Sequence, residues 1–476
     1  GNPLIGPVPG LRNYWSACAV MAGFSQGGGM GKSLAEWMIH GETEVDPRGF
    51  DVARFGKWTT PGYTVPKVIE TYQMRFSVSY PNEERPAARP FRTTPMYDIF
   101  DGMGAVWGAQ YGLEVPNYFA LPGEPRYETP SFKRSNAWEA TAREVRAVRE
   151  GVGINEIQNF GKFRIRGAKA RDWLDVMMAG AIPAPGRISL TPMLSPRGKI
   201  IGDFTVTCLA DDEFQITGSY GAQDQHLRWF QAHAEPGVTV ENVSDRLTGF
   251  QIAGPKARDL LARVTRADVS AEALKFMDAR RMTVGMADCL VQRVSYTGDL
   301  GYEIYCDFMT QRALWNALWG AGQDLGLKPF GMRAMMSLRL DKLFGSWARE
   351  FSPDYFPGET GIDRFIRWNK DADWIGKAAA LKEKAEGPKR RLCAFAVEAG
   401  DADVVAYEPI WVGDKVVGFC TSGGYSHWTG TSVAQGFLPA DLAGTREVEI
   451  EILGERRKAR RIDGPLWDAD GARMRG

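Results

Sequence analysis

Two stretches of the chain, 87 residues apart, carry the same pattern of apolar and polar positions. Phe163-Arg-Ile165-Arg-Gly and Phe250-Gln-Ile252-Ala-Gly alternate as a strand does, then turn on glycine. Each runs on into a helical pattern with Leu174 or Leu261 at matched positions, and Pro255 reads as the first helical residue of the second. Further strand patterns and a helix follow both: "DFTVTCL", "EFQITG" and "HLRWF" after the first, "CLVQRVSYTGDLGYEIY" and "RALWNALW" after the second. The pattern predicts a duplicated βα unit with a pseudo-twofold relation and a ligand-sized crevice between its halves.

Outside the repeat the periodicity changes. After a polar linker, "KEKAEGPKRR", the segments "RLCAFAV", "EPIWVGDKVVGFCTSGGYS", "TSVAQGFL" and "EVEIEILGERRKARRI" alternate and carry Gly-Asp hairpin signals, which predicts a small β-barrel. Upstream, residues 56 to 130 are turn-rich and aromatic, and "AVWGAQYGLEVPNYFA" reads as a strand pair. Residues 1 to 55 read as an extended segment, a glycine loop and a helix, too short to bury a core alone.

The glycine stretch "GFSQGGGMGKSLAEW" resembles a phosphate loop but misses both fingerprints by one position. Gln26 stands where a Walker loop needs glycine, and Lys32 where a dinucleotide loop needs it. What remains is a flexible turn feeding a helix over Lys32 to Ile39, marked by Leu34, Trp37 and Met38. The bare amides of such a helix start would favour negative charge.

Composition narrows the function classes. Lys plus Arg equals Asp plus Glu at 58 each, so no global field draws nucleic acid or an anionic membrane. The apolar runs are short and broken, which predicts no membrane span, and the first residues lack the charged and apolar regions of a signal peptide. An initiator Met is also lacking, which reads as a trimmed or incomplete chain. Six scattered cysteines in strand-like contexts predict reduced core thiols in a cytosolic or matrix protein. Four histidines at no ligand spacing predict no zinc site. "ERRKARR" at 455 to 461 lacks interleaved aromatics and reads as a solvated edge strand rather than a nucleic-acid patch.

The pieces "SPRGKIIGDFTVT", "RVSYTGDLGYEIY", "SLRLDK", "WIGKAAAL" and "GDKVVGFCTSGGYSHWTGTSVAQGFLP" resemble the folate-binding T-protein of the glycine cleavage system. Upstream, "GLRNYW", "GFSQGGGMGKSLAEWMIHGE", "RFGKWTTPGYT", "YPNEERPAARP" and "PSFKRSNAWEATAREVRAVREGVGINEI" resemble the C-terminal part of the dimethylglycine and sarcosine dehydrogenase family. The resemblance implies an α+β protein. It would comprise a flavin-domain tail (1–55), a central connector domain (56–112), a T-protein-like folate domain with the duplicated units (113–382) and a C-terminal β-barrel domain (383–476).

It also implies oxidative N-demethylation of a small N-methyl amino acid, with FAD taking the hydride and tetrahydrofolate capturing the one-carbon unit as 5,10-methylene-tetrahydrofolate. The family's flavin fold would precede residue 1, so FAD would be shared with a missing N-terminal region or a partner chain carrying it. The implied location is the cytoplasm, or the mitochondrial matrix in a eukaryote. Two alternatives stand beside this reading: a stand-alone tetrahydrofolate-dependent methyl or aminomethyl transferase without flavin, and a non-catalytic partner subunit.

By the same resemblance Asp203 is the carboxylate beside the folate amine nitrogens, tuning protonation as a catalytic group. Thr205 shares its strand face. Tyr296 and Glu303 are folate contacts, the carboxylate pairing with the amino and ring N–H donors of the pterin. Gly27, Gly28, Gly29 and Gly31 would let backbone approach the flavin. Read without the resemblance, Asp203 caps a turn, Thr205 is an ordinary strand threonine, Glu303 is an exposed strand residue and Tyr296 flanks a turn. Gly298, Asp299 and Gly301 set hairpin geometry, Arg339 reads as a buried ion-pair partner, Arg333 as a weaker folate-tail candidate, and His427 as a barrel-loop residue without a catalytic role.

Overall fold

The structure, a computed structural model, describes residues 2–476. It opens with a small unit in which β1 (Leu4–Pro7) and β2 (Trp15–Cys18) pair antiparallel and α1 (Gly23–His40) packs on them through Ser33 and Trp37. The indole presses so close to Gly6, at φ +112°, that a Cβ there would lie 2.7 Å from Trp37 Cζ3. No other residue satisfies both that backbone angle and that contact.

The glycine loop expected before Lys32 is absent, because α1 begins at Gly23 and runs unbroken. Gly27, Gly28, Gly29 and Gly31 are therefore helical, and the amides from Lys32 onward lie inside the helix instead of at a bare start. Glycine in a helix costs about 1 kcal/mol relative to alanine but does not forbid it. Anchored by Trp37, the helix propagates back through the glycines, since extension is far easier than nucleation.

A connecting region follows, with α2 (Pro61–Gln73), α3 (Tyr97–Gly102) and the predicted strand pair, β3 (Ala105–Gln110) and β4 (Leu113–Phe119), joined by a tight turn at Tyr111-Gly112. Then come α4 (Ala137–Glu150), β5 (Gly153–Glu156), β6 (Phe160–Arg166), α5 (Ala170–Met177), β7 (Ile188–Leu194), β8 (Ile200–Ala210), β9 (Glu213–Ser219), α6 (Gln223–Ala232) and β10 (Thr239–Asn242). The second half supplies β11 (Leu247–Ala253), α7 (Ala257–Val264), β12 (Ala279–Val284), β13 (Ala287–Gln292), β14 (Gly301–Asp307), α8 (Gln311–Gly322) and β15 (Lys328–Pro329). These form a five-stranded sheet, β10-β6-β9-β8-β7, and a six-stranded sheet, β12-β13-β14-β11-β5-β15.

The repeat read from the sequence is the β6–α5 and β11–α7 pair. Phe163 and Ile165 are fully buried with Leu174 in one core, Phe250 and Ile252 with Leu261 in another. Pro255 lies in the turn two residues ahead of α7 rather than at its first position.

Past α9 (Met332–Asp341), α10 (Pro357–Thr360) and α11 (Lys377–Glu386), the chain closes a six-stranded barrel from β16 (Arg390–Val397), β17 (Pro409–Val412), β18 (Lys415–Ser426), β19 (Thr431–Pro439), β20 (Glu447–Ile452) and β21 (Glu455–Ile462), and ends near α12 (Ala472–Arg475). The basic run at 455 to 461 is not an edge strand: β21 pairs with β20 on one side and β16 on the other. Closure removes the edge that alternation alone implied. Five cysteines are buried, but Cys18 is exposed on β2, a departure from the expected core thiols that follows from the thinness of the N-terminal unit. Among the described residues no helix is long and apolar enough to cross a membrane.

Candidate functional site

Each repeat sheet has one apolar face, as alternation predicts, and its other face is polar but not solvated. In the first sheet Phe163, Ile165, Val206 and Ile216 face α5 and α6. On the reverse, Lys162 on β6 aligns with Thr217 on β9 and Thr205 on β8, and Arg164 with Gln215 and Thr207. Lys162, Thr207 and Gln215 are completely buried there. The second sheet answers with a row running from Asn155 through Gln251 and Glu303 to Gln292, all but Glu303 buried.

The two polar faces meet. The Tyr305 hydroxyl donates to Glu303 at 2.7 Å and lies beside Thr217 of the first sheet, and the Lys162 charge acts on Glu303. Several atoms of this layer lack a protein partner: both amide atoms of Gln292, Thr217 Oγ1, Thr207 Oγ1 and Gln215 Nε2. Buried polar groups are normally hydrogen-bonded, so a cluster of unpaired ones marks a layer suited to a polar ligand or its waters.

Asp203, Thr205, Tyr296 and Glu303 come together around this layer, whereas the α1 glycines do not. All four side chains are half-buried, each keeping some accessible surface. Burial pushes the Asp203 carboxyl up to about 7, and the negative charge of Glu350 adds to it. Such a group is half protonated near neutrality and can give or take a proton. Burial likewise pushes Tyr296 up to about 12, against the opposing charges of Arg339 and Arg349 and in concert with Glu350 and Asp203. At neutral pH the phenol is protonated; it donates to Gly345 O at 2.9 Å and its ring stacks on Phe344 at 5.9 Å. Burial raises Glu303 too, opposed by the Tyr305 hydrogen bond and by Lys162.

A second tier holds these side chains. Arg339, fully buried on α9, donates to Phe344 O at 2.8 Å and Gln435 Oε1 at 3.0 Å, and pairs with Glu350 at 3.4 Å. Glu350 also accepts from Thr421 of the barrel at 2.7 Å and from Ser346 N at 3.0 Å. The barrel thus fixes the 343–350 turn, and the turn fixes Tyr296. Arg149 on α4 bridges Asp299 and Asp341, the latter at 2.6 Å, and so pins the 296–300 turn to α9. At Gly298, with φ +83°, a Cβ would lie 2.4 Å from Lys342 Cγ, so this turn needs glycine.

Beside the 343–350 turn lies a cavity of about 890 Å³, lined among others by Arg333, Ser337, Trp347, Arg349, Tyr425 and His427, at the junction of the connecting region, α9 and the barrel. Asp203 and Glu303 are not part of its wall; Arg349, whose charge reaches Tyr296, joins the two regions. Arg333 is held by Glu128 at 2.8 Å. Burial pushes His427, packed 4.4 Å from Trp138, down to about 4, so it is neutral at physiological pH.

The glycines 27, 28, 29 and 31 lie elsewhere, on α1, whose Trp37 meets Arg228 of α6. There Arg228 binds Asp51 at 2.6 Å and sits 5.2 Å over Trp37 of α1. A Cβ at any of the four would meet nothing within 4 Å. Sequence reasoning missed Lys162, Gln292, Tyr305 and Glu350. The only available signal was strict polar–apolar alternation, which cannot tell a solvated face from one facing a second sheet.

Three protein families match the chain in order. The FAD dependent oxidoreductase central domain matches residues 40–94, the GCVT N-terminal domain residues 96–370 and the glycine cleavage T-protein C-terminal barrel domain residues 390–468. The mitochondrial dimethylglycine dehydrogenase of Homo sapiens is 37% identical over 478 residues, covering 99% of this chain and 55% of that protein. The 4-methylaminobutanoate oxidase (formaldehyde-forming) of Paenarthrobacter nicotinovorans is 31% identical over 484 residues, covering 100% of this chain and 58% of that protein. The chain thus spans little more than half the length of these relatives. In fold it is similar to the glycine cleavage system aminomethyltransferase T of Bartonella henselae, with a TM-score of 0.69 at 23% identity, over 79% of this chain and 98% of that one. The chain therefore belongs to the GCVT family, with a T-protein barrel behind the GCVT domain and an FAD dependent oxidoreductase central domain ahead of it, and 99% of its length is similar to dimethylglycine dehydrogenase.

Proposed function

We propose that this chain is the folate-bearing half of an enzyme that oxidatively demethylates a small N-methyl amino acid, of the dimethylglycine or sarcosine type, with FAD and tetrahydrofolate. A location in the cytoplasm, or in the matrix of a eukaryote's mitochondria, belongs to the same reading. The observation that carries it is the polar layer of the two sheets: a carboxyl balanced near pH 7, a phenol and a second carboxyl, each half-buried, gather there with unpaired buried amide and hydroxyl groups. That donor and acceptor set fits a pterin, whose ring edge presents adjacent N–H donors to Glu303 and whose face can lie on Tyr296.

Tetrahydrofolate, when bound, supplies the amine nitrogens that accept a one-carbon unit. Glu303 and Tyr296 orient the ring, Asp203 holds or releases a proton at its Oδ atoms, and Thr205 hydrogen-bonds within the site. The enclosing sheets exclude bulk water and so protect a hydrolysis-prone one-carbon group.

The α1 glycines do not by themselves cradle a flavin, since their surroundings are open. We assign the flavin to a part of the protein outside these 476 residues, on the same chain or a partner chain, with the glycine-rich first turns of α1 as its contact. The match of residues 40–94 to an FAD oxidoreductase central domain argues against a stand-alone transferase. The test uses the protein with its flavin-bearing part. Asp203→Asn is expected to leave amine oxidation intact and divert the product from 5,10-methylene-tetrahydrofolate to free formaldehyde. An unchanged product ratio removes Asp203 from the chemistry, and no oxidation of any N-methyl amine by wild type defeats the dehydrogenase reading.

A further inference from the structure

A surface helix usually turns its apolar stripe inward and its charges to water. In α2 the two sides are exchanged. Val65, Val68, Ile69 and Tyr72 recur at helical spacing, each more than half exposed, and Phe76, one turn further on, is 87% exposed. No residue of the helix is buried. Its two charged side chains point the other way. Lys67 donates to Arg85 O at 2.8 Å and to Glu70 at 3.2 Å, and Glu70 accepts from Ala87 N at 2.9 Å.

The inward side is anchored, so the helix cannot simply roll its stripe under. Tyr63 packs edge-on against Trp58 at 4.7 Å, Trp58 against Tyr111 at 5.2 Å, and the Tyr111 hydroxyl donates to Asp224 of α6. One turn along α6, Arg228 sits over Trp37 of α1. The α2 region and α1 are thus fastened to the same helix. α1 adds Phe24, fully exposed, with Met38 and Ile39 also more than half exposed. A row of apolar side chains held out to water in this way is the mark of a surface that another body covers.

We propose that the outward stripe of α2 is a docking surface for the flavin-bearing part of the protein. The proposal rests on the assignment of the flavin to such a part. Residues 61–73 fall inside the segment that matches an FAD dependent oxidoreductase central domain. The 55% of dimethylglycine dehydrogenase that this chain matches leaves nearly half of that protein to be placed. The α1 turns assigned as the flavin contact hang from the same helix as α2, so one body can cover both. A membrane surface fits less well. Helices that lie on lipid present cations on their polar side, whereas the one cation of α2 is turned into the protein and paired.

The experiment uses the protein with its flavin-bearing part and reads thiol accessibility at single positions by peptide mass analysis. Val68→Cys and Ile69→Cys are compared with Met309→Cys, in the turn ahead of α8, where the native side chain is 84% exposed. The two α2 thiols are expected to react with a maleimide about a hundredfold more slowly than the control in the native protein, and at the control rate once it is denatured. Ile69→Glu is expected to release flavin on mild heating about tenfold faster than wild type, because it buries an unpaired carboxylate, while Met309→Glu releases it at the wild-type rate. If the Glu variant does not fold, Ile69→Ser carries the same comparison. Full reactivity of both α2 thiols in flavin-containing protein overturns the docking proposal alone. Protection that dilution removes while the flavin-bearing part stays bound assigns the stripe to a second copy and overturns the proposal. Reactive thiols that phosphatidylserine vesicles protect assign it to a membrane surface and overturn the proposal as well. Protein that carries no flavin at all overturns the flavin assignment and the proposal together.

Discussion

The barrel and the layer between the repeat sheets are both buried strand structures, yet they enclose opposite things. Inside the barrel, Phe395, Ile410, Cys420 and Ile450 pack on one another without exposure, and every strand is paired on both sides. Between the sheets lie Lys162, Gln215, Thr217 and Gln292, several with no protein partner. The first arrangement maximises burial of apolar surface, the main driving force of folding. The second gives stability away to hold groups that a ligand can use. The difference gives the barrel a supporting part, through Thr421 and Gln435 to Glu350 and Arg339, and leaves the layer as the place where the proposed ligand would bind.

The comparison breaks most sharply at Asp203 and Phe395. Asp203→Asn should lower one-carbon transfer by roughly 10²- to 10⁴-fold, the usual worth of a general acid–base group, with folate affinity little changed. Rapid-quench assay of transfer by the flavin-containing protein checks it, and the wild-type rate should rise with pH through about 7 as Asp203 ionises. The same carboxyl has a stability signature. Its folded pKa is raised above its ordinary value, so the native state binds the extra proton and stability falls as pH climbs from about 4 to about 7. The Tm advantage of Asp203→Asn over wild type should therefore grow through that window and level off above it. Phe395→Ala, in contrast, should cost about 3–5 kcal/mol in denaturant unfolding at any of these pH values, the ordinary penalty for emptying an aromatic core site.

Gln292→Leu sharpens the contrast with a smaller effect of opposite sign. Removing an amide with neither atom paired should raise stability by about 1 kcal/mol while weakening 5-formyltetrahydrofolate binding. A loss of stability instead would mean that the layer is an ordinary satisfied core.

Much of the architecture could be read from alternation. The βα repeat, the β3–β4 pair and the terminal barrel all follow from period-two patterns and turn residues, which are local properties. The candidate site was half legible. Asp203, Thr205, Tyr296 and Glu303 were proposed by likeness to a family, but the polar rows around them were not, because opposing rows are brought together by sheet packing and not by spacing. Lys162 lies 141 positions before Glu303, and "GKFRIR" looks like any strand with one wet face. The barrel closure that pairs β21 with β16 is equally non-local, which is why the basic run was read as an edge.

The smallest effect expected concerns the N-terminal helix, where local reasoning failed for a different reason. A triple glycine predicts a loop by propensity, yet α1 continues through it because Trp37 is docked under Arg228 and against Gly6. Alanine at Gly27, Gly28 or Gly29 meets nothing and suits the backbone, so each change should add about 0.5–1 kcal/mol of helix stability in the isolated chain. Circular dichroism and thermal melts of the single and triple variants measure this. If the glycines exist to let another surface approach the α1 backbone, the same substitutions should weaken flavin retention in the longer protein while stabilising this part of it, the trade that distinguishes the inter-sheet layer from the barrel. Stabilisation with flavin retention unchanged would assign the glycine face no contact, and a loss of helix stability would show that α1 is held by packing the alanines disturb.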